Sequence, residues 1–338
     1  MKAIISKNGH SNDSLFELSD ITHKYNPTDL DIYFKNAFMD YGIELHTSDL
    51  VNCNEAIFEL HIGTDSPLQQ GVNAKYLFTM ENPEHENRSC SHIKSFKKIF
   101  SWDAPGYSWH KGFEHTLIPH PLKFDKEFED FSNRKEFLCL INANKAFKKY
   151  VKDDLYKERL DFIKWAIKEI PNSFNLYGIG WNKPYPGIGL KGKLLRNLQS
   201  LFMKITGNKP FKPVYKGEVA NKSDIYRNHK FAICYENIGG LNNYITEKIL
   251  DAMSYGCVPI YLGAPDISEF IPSNCYIDRR QFASNPELFS YLKDISQGEF
   301  SLYQKNIESF FMHKAKLNFS FKATAGKVVQ SIVGDIGL

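Results

Sequence analysis

The sequence predicts two α/β domains in series, each built on a parallel sheet covered by helices on both faces. Three observations lead there. Short apolar runs that read as strands alternate with helical stretches along most of the chain. At 338 residues the chain is long for a single core. A charged segment without a clean period, "KFDKEFEDFSNRKE" over 123–136, separates the two series and reads as a linker. The expected division is 1–127 followed by 128–338.

In the first series "KAIIS" reads as a strand and residues 28–42, "TDLDIYFKNAFMDYG", as an amphipathic helix. "IELHT", "AIFELHI", "KYLFTM", "KKIFSWD" and "HTLIPHP" then read as further strands. The second series runs "FLCLIN" (137–142), a helix over 153–170, "FNLYG" (174–178), "KFAICYE" (230–236) and "VPIYLG" (258–263), and ends in a helical part over 285–318. Between its strands lies a basic insert, 191–217, in which Leu194, Leu195, Leu198, Leu201 and Phe202 recur at helical spacing among Lys191, Lys193, Arg196 and Lys204. A basic amphipathic segment suits an anionic membrane surface; a helix packed between domains with solvated lysines has the same pattern.

The bulk numbers exclude several classes. Apolar residues at 42% and charged residues at 24% are those of a globular protein and exclude a disordered chain. With 42 basic against 39 acidic residues and a net charge of +3, the chain is no general nucleic-acid binder, so any anion site must be local. Six cysteines show no CxxC spacing and no zinc constellation, and Cys139 and Cys234 sit inside strand-like runs. Free buried thiols in a reducing compartment are expected. "MKAIISKNGHSND" turns polar too soon for a signal peptide, and no run approaches the roughly 18 apolar residues that cross a bilayer. The expected location is the cytoplasm, with membrane association through 191–217 as its extension.

Chemistry concentrates in residues 231–263, "FAICYENIGGLNNYITEKILDAMSYGCVPIYLG". A strand runs into a Gly/Asn loop and then a helix, and Gly256 leads to a second strand. Ile245, Ile249, Ala252 and Met253 fall on one stripe that should face the sheet. Tyr244, Glu247 and Lys248 then project from other faces near the helix start, with Thr246 or Asn243 as its cap. A lysine beside unpaired helix N–H groups suits a diphosphate, and a neighbouring glutamate suits sugar hydroxyls. A Glu-Lys pair in a first helical turn is also commonplace on solvated helices, and the pattern alone leaves both readings open.

The longer string, "FAICYEN…YITEKILDAMSYGCVPIYLGAPDISEFIP", resembles the donor-binding signature of the α1,3/α1,4-fucosyltransferases, glycosyltransferase family 10. Tyr235-Glu236-Asn237, Tyr244 to Lys248 and Val258 to Gly263 carry the match. "YLFTMENPEHEN" resembles a strand end of that family bearing the catalytic base, here Glu81, and "LCLINANK…LYKERLDFIKWA" resembles a stretch whose arginine, here Arg159, meets the donor pyrophosphate. The resemblance implies a GT-B type fold, two Rossmann-like domains facing each other across a cleft. The acceptor would lie on the N-terminal domain and GDP-fucose on the C-terminal one. It implies inverting transfer of L-fucose to a GlcNAc- or glucose-containing glycan in α1,3 or α1,4 linkage. Glu81 and Glu247 are the implied catalytic residues, and Arg159, Glu236, Asn237, Tyr244, Glu247 and Lys248 the donor-binding ones. The acceptor would be an oligosaccharide or lipopolysaccharide-type glycan.

No cofactor beyond the donor substrate and no essential divalent metal is expected. Asp29-Leu30-Asp31 spells Asp-x-Asp, yet Thr28-Asp29 reads as a helix cap with acids in the first turn. His110, His115 and His120 fit no single helix face. Three alternatives are carried: a related transferase using another nucleotide sugar in surface-polysaccharide synthesis, a non-catalytic nucleotide-sugar or glycan binder, and an NAD-linked oxidoreductase. The last is rejected because Gly178-x-Gly180 lacks the third glycine of a dinucleotide fingerprint.

Overall fold

The computed structural model describes residues 1–17, 29–86, 88–125, 127–187, 189–207, 209 and 211–338. The chain divides into two α/β units, Met1–Pro121 with Leu317–Leu338, and Leu122–Lys316.

The first unit contains β1 (Lys2–Ser6), α1 (Asp29–Met39), β2 (Glu44–Thr47), β3 (Glu59–Ile62), β4 (Lys75–Thr79), α2 (Cys90–Ile93), β5 (Lys98–Ser101), α3 (Ala104–Tyr107) and β6 (Phe113–His115). Its six strands pair in the order β2-β1-β3-β4-β5-β6, every pair parallel. "HTLIPHP" is a strand only at its first residue, because β6 lies upstream of the expected run. The cap expected at Thr28 lies outside the described residues.

The expected 128–338 domain differs at its end. A helix over Phe321–Ile336 follows the helical stretch anticipated to stop at 318, and it belongs to the first unit. Phe321, Ala325, Val328, Val329, Ile332 and Val333 form its apolar stripe and share a core with Phe34, Phe38, Tyr76 and Phe78. Polar bonds fix its register: Tyr76 Oη donates to Asp335 at 2.5 Å and Lys98 Nζ to Ser331 Oγ at 2.7 Å.

Asp31 is committed within this unit. It is fully buried and its carboxylate accepts from Lys7 Nζ at 2.7 Å. Burial pushes its pKa up to about 6, against the pull of Lys7. A folded-state value above the unfolded one makes the native state bind more protons between roughly pH 4 and 6. The stability of the wild type relative to Asp31→Asn should therefore fall as pH rises through that window, by about 1–3 kcal/mol. Urea midpoints of both proteins at pH 4.5 and 7 measure it; a constant difference would show that Asp31 titrates normally.

The second unit contains β7 (Glu136–Ile141), α4 (Leu155–Glu169), β8 (Phe174–Tyr177), α5 (Gly189–Thr206), β9 (Tyr215–Gly217), α6 (Lys222–Asn228), β10 (His229–Tyr235), α7 (Glu247–Met253), β11 (Val258–Leu262), β12 (Ile277–Asp278), α8 (Asn285–Asp294) and α9 (Gln297–Met312). Its sheet is also parallel, in the order β12-β11-β10-β7-β8-β9. Leu138, Leu140, Phe174, Leu176, Phe231, Val258 and Ile260 form its core with Phe162, Ile163 and Phe300. The five cysteines with described side chains, Cys53, Cys139, Cys234, Cys257 and Cys275, are free thiols, all but Cys53 buried.

Two expectations change here. The charged segment 123–136 is an integral part of this unit. Arg134 is 2% exposed, and its guanidinium donates to the carbonyls of Glu129, Tyr226, His229 and Tyr255 at 2.7–3.0 Å. A buried cation persists because its donors are satisfied, here by backbone oxygens. The insert 191–217 is two structures. Residues 189–206 form one helix, whereas Phe211 and Val214 are buried and β9 extends the sheet.

Candidate functional site

In the second unit the carboxyl end of β10 carries most of the residues singled out. Glu236, directly after the strand, is fully buried. Its carboxylate accepts from Thr246 N at 2.8 Å, Thr246 Oγ1 at 2.7 Å and Lys248 Nζ at 3.1 Å. Thr246 occupies the cap position of α7, but its hydroxyl serves Glu236 rather than the helix. Gly263, at the end of β11, is required by this packing: a Cβ there would lie 2.5 Å from Glu236 Cγ and from the Tyr261 hydroxyl.

Lys248 is thus held inward, not free on the helix surface. Its ammonium also donates to Thr246 Oγ1 at 2.7 Å and lies 3.7 Å from Glu247. Burial opposes its charge, but Glu236 and Glu247 outweigh burial and hold it above the ordinary lysine value. Glu247 shows the converse: burial disfavours its charge, while Lys248 and Lys222 keep its carboxyl below the ordinary glutamate range. Lys222, on α6, pairs with Asp251 at 2.6 Å and adds a cation that the motif gave no reason to seek.

Arg159 reaches the same strand end from α4. It is 3% exposed, and its Nη2 donates to Glu236 O at 3.1 Å and to Asn237 Oδ1 at 2.9 Å. Its Nε donates to Leu155 O at 3.3 Å, and its Cζ lies 4.5 Å from the Tyr156 ring centroid. Its Nη1 makes no hydrogen bond among the described residues. Burial lowers its pKa despite Tyr156 and Glu236 nearby. Tyr244, expected on an outer face, is buried before the helix begins, with Asn237 Nδ2 3.4 Å from its hydroxyl. Arg159, Glu236, Asn237, Tyr244, Glu247 and Lys248 therefore form one connected cluster. Because α7 has only seven residues, charge there comes mainly from side chains.

Beside the cluster opens a cavity of about 550 Å³. Gly239 and Gly240 after β10, Gly263 and Pro265 after β11, and the segment leading into α4 line it. That placement, at the carboxyl ends of parallel strands, is where ligands bind in open α/β sheets. Gly239 N donates to Asp153 O at 2.8 Å and Leu155 N to Asn237 O at 3.2 Å, tying the two walls together. Asp153, Glu158 and Arg280 also line the cavity and were not anticipated, since nothing in their local sequence distinguishes them from solvated residues.

Glu81 lies in the first unit, exposed in the loop after β4. A polar frame holds that loop. Glu86 accepts from Thr79 Oγ1, from Arg88 Nε at 2.7 Å and from Tyr107 Oη at 2.7 Å. Arg88 Nη1 donates to Asp103 at 2.5 Å, and Trp102 Nε1 to Met80 O at 3.1 Å. These bonds fix the backbone on both sides of Glu81. Among the described residues, no three His, Cys, Asp or Glu side chains gather as a metal site.

Residues 191–329 match the family described as glycosyltransferase family 10 (fucosyltransferase), C-terminal. That stretch belongs to glycosyltransferase family 10. It includes Glu236, Asn237, Tyr244, Glu247 and Lys248, whereas Arg159 and Glu81 lie before it. An α-(1,4)-fucosyltransferase of Arabidopsis thaliana is 40% identical over 65 residues, 19% of this chain and 16% of that protein. The α-(1,3)-fucosyltransferase FucT of Helicobacter pylori is 30% identical over 89 residues, 26% and 18% respectively. The Bos taurus GDP-fucose protein O-fucosyltransferase 3 is 33% identical over 106 residues, 30% and 22%. The matched segments thus span about a fifth of these relatives' length or less.

Two solved structures share the fold of the chain that carries the family 10 stretch. An α1,3-fucosyltransferase with GDP-fucose aligns over 100% of this chain and 90% of its own, with TM-score 0.51 and 15% identity. Anabaena Alr3699/HepE in complex with UDP aligns over 99% of each chain, with TM-score 0.53 and 10% identity. The architecture is the GT-B type, two parallel-sheet α/β domains. No described helix is long and apolar enough to cross a membrane.

Proposed function

We propose that this chain is an inverting fucosyltransferase that moves L-fucose from GDP-fucose to a hydroxyl of a GlcNAc- or glucose-containing glycan. The observation that supports this reading is the bonded cluster of Arg159, Asn237, Glu236 and Lys248 beside the cavity, of which Glu236, Asn237 and Lys248 fall within the family 10 match.

In this reading the donor diphosphate lies against Lys248 and the Nη1 side of Arg159, and Glu247 takes sugar hydroxyls. Glu81 accepts the proton of the acceptor hydroxyl as its oxygen attacks the anomeric carbon. The bond to the diphosphate breaks as the new one forms on the opposite face, and GDP leaves with the electron pair. Positive charge on the sugar ring in the transition state is met by Glu247, and negative charge on the leaving group by Lys248 and Arg159. No divalent ion has a part in these steps, and transfer is expected to survive EDTA. An oligosaccharide or lipopolysaccharide-type acceptor, a cytoplasmic location and a membrane contact within 191–217 complete the proposal.

The likeness to a UDP-bound structure keeps one competitor in view, a transferase for another nucleotide sugar. Thermal shift with GDP-fucose, GDP-mannose, UDP-glucose and CMP-sialic acid separates the two. GDP-fucose is expected to give the largest stabilisation and label transfer on a glycan array. A larger shift with a UDP- or CMP-sugar overturns the donor assignment.

A further inference from the structure

We propose that α5 is a docking helix that lies in the plane of an anionic lipid surface. This deepens the membrane contact above; it rests on that part of the reading and not on the transfer chemistry.

Leu194, Leu198, Leu201, Phe202 and Ile205 follow the spacing i, i+4, i+7, i+8, i+11, which places them on one face of a helix, with Leu195 at its edge. In the core of the same unit such residues are buried. Here all six are between 54% and 75% exposed. Scattered exposed leucines are ordinary, whereas six on one helical face form a continuous apolar strip that water leaves unsatisfied. Lys193, Arg196 and Lys204 are exposed as well and fall on the remaining face by the same geometry. The helix contains no acid.

That charge pattern selects the occupant. Pairing two copies strip on strip would set two helices of like charge side by side, with no carboxylate on either to offset the repulsion. An anionic leaflet accepts both features at once: the strip enters the boundary between headgroups and acyl chains, and the basic face meets lipid phosphates. The helix is amphipathic and cannot span, so it lies flat. Residues 211–217 do not take part, because they are bound into the sheet. The docking element is therefore α5 alone, narrower than the insert as a whole.

The test is co-sedimentation of the full chain with phosphatidylcholine vesicles, with and without phosphatidylglycerol. Binding is expected with phosphatidylglycerol only and should weaken as NaCl rises. Leu198→Glu/Phe202→Glu should weaken it at least tenfold, while the thermal shift with GDP stays that of the wild type, which shows the unit still folds. Lys193→Gln/Arg196→Gln should weaken it about fivefold per charge removed. No binding to either vesicle, unaltered binding of the Glu variant, or a dimer in sedimentation velocity that this variant dissociates would each overturn the proposal. Vesicle binding without turnover of GDP-fucose would sink only the transfer reading.

Discussion

Lys248→Ala is expected to weaken GDP binding about 10–100-fold and turnover about 10²–10³-fold, and adding Glu236→Gln is expected to recover stability but neither activity. The argument starts from Glu236. It is fully buried, and among the described residues Lys248 is the only cation that hydrogen-bonds its carboxylate. Removing Lys248 leaves a buried carboxylate unneutralised, which costs about 3–5 kcal/mol by itself. A loss of activity in the single variant would thus be ambiguous between misfolding and a lost diphosphate contact. Glu236→Gln removes the orphaned charge while keeping an acceptor for Thr246. If Lys248 serves only to neutralise Glu236, the double variant binds GDP like the wild type. If the ammonium also meets the diphosphate, affinity stays low. Arg159→Ala should act in the same direction, through its unused Nη1 donors. Isothermal titration with GDP measures all three, and wild-type affinity in both the double variant and Arg159→Ala would show that the diphosphate lies elsewhere.

Glu81→Gln is expected to lower GDP-fucose transfer and hydrolysis by about 10²–10⁴ while leaving GDP affinity unchanged. The substitution keeps the shape of the side chain and removes its capacity to take a proton. The loop should hold its course, because the bonds that brace it run through Glu86, Arg88, Asp103 and Tyr107. Affinity should hold because the proposed GDP contacts belong to the other unit. Equal, near-zero rates before and after the change would favour a binding protein over an enzyme, and an active Glu81→Gln protein would remove Glu81 from the base role. Single-turnover release of fucose from radiolabelled GDP-fucose provides the measurement.

Parts of this architecture can be read directly from the chain. The strands "KAIIS", "FLCLIN", "KFAICYE" and "VPIYLG" lie within a residue of β1, β7, β10 and β11, because continuous apolar runs are what a doubly covered parallel sheet demands. Ile245, Ile249, Ala252 and Met253 are all buried, as their stripe required. Other parts depend on distant partners. Arg134 sits in a stretch that looks solvated, and its acceptors Tyr226, His229 and Tyr255 lie 92, 95 and 121 residues further on. Since those acceptors are carbonyls, no side-chain pattern announces them. The inward turn of Lys248 was hidden for the same reason: helical spacing gives a face, but Glu236, from the preceding strand, decides where the ammonium goes. β9 and β12 are too short to carry a period.

The helix over Phe321–Ile336 has a further implication for how the polypeptide is made. The strands that it covers are synthesised earlier, and the piece that seals them is translated some two hundred residues after β6. The continuous segment Leu122–Lys316 is therefore synthesised entire while its predecessor still lacks the helix that shares a core with Phe34, Phe38 and Phe78. A nascent chain thus holds every residue of the later unit before it holds every residue of the earlier one, the reverse of the usual amino-to-carboxyl order.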